Sequence, residues 1–224
     1  TTANATSAAT ALAARMAAQL MAVYPALWPE SIRGLIVHSA EWTEAMMQAF
    51  LPTRPLMGDY AHLVRHCGFG VPNMDRALWS VSNSLTMVEE AQLHPFQREG
   101  NNQPTLRDMN LHRLPWPLTE LESLGETLVE MRVTLSYFIE PNPSERGFRS
   151  RYRYESHGLR FDVRRPTESE ADFRSRINAA AREEEEGTRT GGDDSGWLIG
   201  KQNRHKGSLH SDIWHGSAAD LARD

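Results

Sequence analysis

Between Ala8 and Val23 only Thr10, Arg15 and Gln19 are polar; every other residue is small or apolar. No β-branched run or glycine interrupts this stretch. Alanine is the strongest helix former, so a helix over 8–24 is the expected reading. A helix that is apolar all round is expected to pass through a core. It is too short and too interrupted by Arg15 to be a membrane span. Directly before it stands Asn4-Ala5-Thr6-Ser7. A helix N-terminus offers unpaired N–H groups and the positive end of the dipole. A serine placed there has ready-made donors for a developing oxyanion. Ser7 is therefore expected to be a surface-accessible hydroxyl on a rigid post. The alternative role for such a serine, or for Thr6, is that of an N-cap.

The next residues add a pattern. Tyr24-Pro25-Ala26-Leu27-Trp28-Pro29-Glu30 is a turn leading into a second helix, with Pro29 suited to the first helical position and Glu30 to the dipole. Ile32, Leu35, Ile36 and Ser39 recur at helical spacing through residues 30–40, widened by Val37 and Ala40. Helical turns are expected over Glu44–Phe50, Tyr60–His66 and Asn73–Trp79, with Gly68-Phe69-Gly70-Val71-Pro72-Asn73 as a turn.

The Thr6-Ser7-Ala8-Ala9 box with its Ala-rich helix resembles the catalytic-serine segment of the subtilisin-like serine peptidases, the subtilases. The second helix ending in His38-Ser39-Ala40, and the Gly68-x-Gly70-x-x-Asn73 segment, are similar to the segments downstream of the serine in that family. Ala5 stands where the family usually has Gly, and Thr10 where it usually has Pro. The resemblance covers about the first third of the chain.

It implies acyl transfer: attack of Ser7 Oγ on a peptide carbonyl, a histidine accepting the proton, and the Ser7 backbone N–H stabilising the oxyanion. The family orders its triad Asp, His, Ser, so the acid, the base and the oxyanion-hole asparagine are expected upstream of this sequence. His38 then counts as structural. The implied activity is a serine endopeptidase acting on protein or peptide substrates, in a C-terminal piece that is a poor catalyst alone. The other reading is a non-catalytic scaffold or adaptor whose later region binds a protein partner.

Around residue 80 the patterning changes. Strands are expected at Ser84–Leu93, within Pro104–Leu114, and most clearly at Glu126–Glu140, where Leu128, Met131, Val133, Leu135, Tyr137 and Ile139 nearly alternate. Pro141–Gly147 has loop chemistry, and Arg149–Ser156 with Leu159–Arg164 reads as a hairpin around His157-Gly158. A helix capped by Thr167 is expected over Ser169–Glu186, then a loop over Gly187–Gly196 and a strand over Gly207–Trp214. The expected fold is the helical C-terminal part of an α/β subtilase-like domain over residues 1–80, followed over 81–224 by a β-rich, sandwich or jelly-roll-like domain with one helix, incomplete at its C-terminus.

The formal charge of −5 argues against a general nucleic-acid binder. Arg149, Arg151 and Arg153 alternating with Tyr152 and Tyr154 read as the solvated face of a strand rather than an RNA grip. One cysteine, Cys67, precludes an internal disulfide and leans toward a reducing, cytoplasmic setting. His62 and His66 stand four apart, a spacing that can turn two imidazoles to one helix face for zinc. Without the metalloprotease Glu or a second ligand cluster they read as surface or core histidines, and no metal or cofactor is assigned. His205, His210 and His215 carry no ligand signature.

Overall fold

The structure is a computed structural model and describes residues 6–82, 85–94, 96–97, 100, 105–106, 109–138, 158–165, 167–185 and 196–222. Five helices come first: α1 (Thr6–Val23), α2 (Pro29–His38), α3 (Glu44–Phe50), α4 (Met57–Cys67) and α5 (Met74–Ser82). They correspond to the five helical segments read from the sequence. Local chemistry starts each of the last four. Pro29 lies in the first turn of α2, where its missing N–H costs nothing. The Thr43 hydroxyl accepts from Met46 N at 3.3 Å ahead of α3. The Asp59 carboxylate accepts from Leu56 N at 2.8 Å at the head of α4. Asn73 Oδ1 accepts from Arg76 N at 3.0 Å before α5.

The helical core is built by Leu20, Ile32, Leu35 and Ala77, with Ala17, Tyr24, Leu27, Met74 and Val88 packed around them. It engages only the C-terminal half of α1. From Thr6 to Arg15 every residue of α1 is exposed, and Leu12 is 61 % exposed. The expectation that this helix pierces a core is therefore corrected. Among the described residues only α2 and α5 pack substantially on α1, and an alanine surface has little apolar area to bury, so its exposure costs little.

Gly68–Asn73 forms the expected turn, tied back to the end of α2. Glu41 and Val71 exchange backbone hydrogen bonds at 3.1 and 2.8 Å. Gly70 has φ +100°, and a Cβ there would lie 2.2 Å from the Glu41 carbonyl oxygen. Only glycine meets both conditions.

The later region contains β1 (Phe96–Gln97) paired antiparallel with β2 (Thr105–Leu106), then α6 (Leu118–Leu124), β3 (Leu128–Ser136), α7 (Glu170–Glu185), α8 (Lys201–Arg204), β4 (Leu209–Ser217) and α9 (Ala218–Ala222). β3 and β4 pair antiparallel over their full length, from Leu128 opposite Ser217 to Ser136 opposite Leu209. Residues 196–199 run along the outer edge of β4, where Leu198 N donates to Ile213 O and His215 N to Gly196 O. α7 is capped by Ser169 rather than Thr167, for the Ser169 hydroxyl accepts from Asp172 N at 3.1 Å.

The β content of the described residues is smaller than the sequence suggests for them. Among the described residues the strands form two two-stranded sheets, with no second sheet layered on them. Residues 85–94 are not a strand. They lie on the helical core through Val88 and reach the start of α2 through Glu90, which accepts from Trp28 N at 2.7 Å and from the Ser31 hydroxyl. Residues 159–164 are not a strand either; Phe161 docks on Arg204, 4.6 Å from ring centroid to Cζ. Alternating residues describe a strand only where a partner edge supplies hydrogen bonds. The expected strand over 149–156 and the loops at 141–147 and 187–195 lie outside the described residues.

Two arginines join α2 to the β3–β4 sheet. Arg33 donates to Ser136 Oγ at 3.0 Å, Tyr137 O at 2.7 Å, and Ser208 O at 2.6 Å. Arg132 donates to the His38 carbonyl at 3.0 Å and to the Ala40 carbonyl. Between them Gly34 approaches β3 closely enough that a Cβ would meet Ser136 Cβ at 3.4 Å.

Candidate active site

Ser7 is the second residue of α1 and is exposed. The N–H groups of the first turn, Thr6 to Ala9, have no carbonyl four residues back within the helix to bond. Thr10 turns its hydroxyl inward, donating to Thr6 O at 2.9 Å. Asn4 and Ala5 lie outside the described residues. Far from this end, Leu20 is fully buried and fixes the helix against α2 and α5. The result is an exposed hydroxyl in the first turn of a helix anchored at its opposite end.

Among the described residues, no imidazole or carboxylate hydrogen-bonds the Ser7 hydroxyl. Each notable histidine is occupied elsewhere. His38, at the end of α2, holds Thr134 Oγ1 of β3 at 3.1 Å. Burial, then the neighbouring Arg132 and Arg76, push its pKa down to about 4. A helix C-terminus ordinarily favours a cation, but Arg132 already occupies those carbonyls, so the imidazole stays neutral. His205 follows α8 and His210 lies in β4, with ring centroids 5.6 Å apart. Burial is the first cause of a lowered pKa for both, down to about 3 for His205. His215 pairs with Glu130 at 2.7 Å across the β3–β4 ladder.

A cleft lies where the Gly68–Asn73 turn meets the end of α2, lined by Glu41, Trp42, Thr43, Val71, Pro72 and Asn73. Asn73 N donates to the buried Ser39 hydroxyl at 3.2 Å, and that hydroxyl donates to Ile36 O at 2.9 Å. Ser39 and Asn73 therefore lock the second helix to the glycine turn. They hold no catalytic pair.

Sequence reasoning missed a buried ion pair. The side chains of Arg204 and Asp212 are both fully buried, 2.9 Å apart. Asp212 also accepts from Ile199 N and Gly200 N, each at 2.9 Å. The Arg204 guanidinium lies against the rings of Phe161 and Trp197, at 4.6 and 4.7 Å. All of these partners but Phe161 lie within residues 197–212, but the pairing depends on how α8 folds back on β4, which no motif in the sequence announces. The arrangement ties residues 199–204 to β4 and, with both side chains fully buried, offers no access to a substrate.

Residues 1–70 match the subtilase family. The subtilase match thus runs from the serine helix through α4 to Gly70, where the chain turns back on Glu41. No curated protein and no solved structure matches the chain. Among the described residues, no helix is long and apolar enough to cross a membrane.

Proposed function

We propose that the protein is a subtilisin-like serine endopeptidase in which Ser7 is the nucleophile. One observation carries this reading: Ser7 is exposed in the first turn of α1, inside the segment that matches the subtilases. In the proposed step, Ser7 Oγ attacks the carbonyl carbon of a peptide bond while its proton passes to a histidine. The oxyanion forms beside the Ser7 N–H and the positive end of α1. Collapse of the tetrahedral intermediate breaks the C–N bond, the amine leaves with the proton held by that histidine, and water then hydrolyses the Ser7 ester to free the acid and restore the hydroxyl. The reading requires a histidine and an aspartate, which the family carries ahead of its serine. In this proposal residues 1–80 form the C-terminal portion of the peptidase domain and 81–224 an accessory region, seated on α2 through β3.

A fluorophosphonate probe on the full-length protein tests it. The expected result is stoichiometric labelling that Ser7→Ala abolishes. Because Ser7 is exposed, that substitution should change stability by no more than about 0.5 kcal/mol, so lost labelling reports chemistry rather than unfolding. Absence of labelling, or labelling that persists in the variant, overturns the peptidase reading. A scaffold or adaptor acting through its later region then takes its place.

A further inference from the structure

His62 and His66 project from successive turns of α4, and both are exposed. Their ring centroids lie 4.3 Å apart. Phe50 of α3 holds both rings, stacked on His66 at 4.8 Å and edge-on to His62 at 5.8 Å. Each imidazole thus has its rotation restricted by a neighbour outside its own helix. His66 Nδ1 lies 2.9 Å from the His62 carbonyl oxygen. A carbonyl oxygen can only accept, so Nδ1 carries the proton and the lone pair of the neutral ring is on Nε2. A backbone carbonyl bound to one ring nitrogen is the arrangement that prepares the other for a metal.

We propose that His62 and His66 form a surface site for a first-row transition-metal dication, with zinc as its simplest probe. Imidazole nitrogen bonds such a cation at roughly 2.0–2.1 Å, which sets two bound rings about 4.5–5.5 Å apart centre to centre at ordinary ligand angles. The observed 4.3 Å is close to that range, and small side-chain rotations make up the difference without movement of the helix. Among the described residues no third His, Cys, Asp or Glu joins the cluster, so water completes the coordination. The donors are nitrogens, and the site should discriminate against hard, oxygen-seeking cations such as Mg2+ and Ca2+. Binding would clip two turns of α4 together and hold them under Phe50. This site is independent of Ser7.

Calorimetric titration of the full chain with Zn2+ at pH 7.5 tests the proposal. One zinc-dependent site is expected, with no heat from Mg2+ under the same conditions. His62→Ala and His66→Ala should each weaken zinc binding by roughly ten-fold or more, since loss of a donor costs at least as much as loss of its outer support. His112→Ala serves as the control and should leave binding unchanged. Lowering the pH to 5.5 should weaken binding in the parent protein, because protons compete for the same nitrogens. The proposal is overturned if zinc gives no heat at millimolar concentration. It is equally overturned if both alanine variants bind as the parent does, or if Cys67→Ser abolishes binding while the histidine variants retain it.

Discussion

Acid should weaken this fold through His38, and the size of the effect can be worked out. The imidazole is held neutral in the folded chain with its pKa pushed down to about 4, against 6.5 ordinarily. The folded value lies below the unfolded one, so the unfolded chain takes up the proton first. The stabilisation is fully present above pH 6.5 and is lost progressively as pH falls from there toward 4. At pH 5 the unfolded histidine is almost fully protonated and the folded one mostly neutral, a loss of about 2 kcal/mol relative to neutral pH. His205 and His210 are shifted in the same direction, so the whole protein should lose more than that. A comparison with His38→Gln isolates one contribution. Urea unfolding followed by the fluorescence of the six tryptophans, at pH 7.5 and pH 5.0, gives both stabilities. The glutamine variant should lose about 2 kcal/mol less than the parent between the two conditions. Equal losses would refute the argument that burial and the cations around His38 hold it neutral.

Arg132→Met should raise the pKa of His38, read from its ring proton shifts by NMR, because one of the cations that opposes its protonation is gone. The same variant should cost about 1–3 kcal/mol, since it leaves the His38 and Ala40 carbonyls without their donor. Leu20→Ala should cost about 2–5 kcal/mol in chemical unfolding, while Leu12→Ala on the exposed part of the same helix should change stability by no more than about 0.5 kcal/mol. Asp212→Asn, which leaves Arg204 buried without its counter-charge, should cost about 3–5 kcal/mol and lower the midpoint of thermal unfolding.

The helical region is written largely in local chemistry. Pro29 and Glu30 announce the start of α2, Asn73 and Thr43 announce their helices, and the residues from Gly68 to Asn73 announce the turn that Gly70 makes possible. β3 is legible for a similar reason: its alternation is long, and it meets a full-length partner in β4. The failures share one physical origin. The exposure of α1 depends on what packs against it, which composition does not state. Residues 85–94 and 159–164 have strand-like residues but find side-chain anchors instead of a strand edge. Arg33 and Arg132 carry no signal in the sequence, yet they join segments about a hundred residues apart. Ser7 lies between these cases. Its place at the head of a helix is local and readable, whereas any base near it is a matter of tertiary contact.

The seam between α2 and β3 has a consequence for anyone cutting or grafting this chain. A boundary drawn between α5 and residue 85 severs no helix, but it would leave Arg33 pointing at acceptors that no longer exist. The last turn of α2 would lose its lid at the same time. The five N-terminal helices transplanted alone would therefore need new residues along α2 before they could stand in water by themselves.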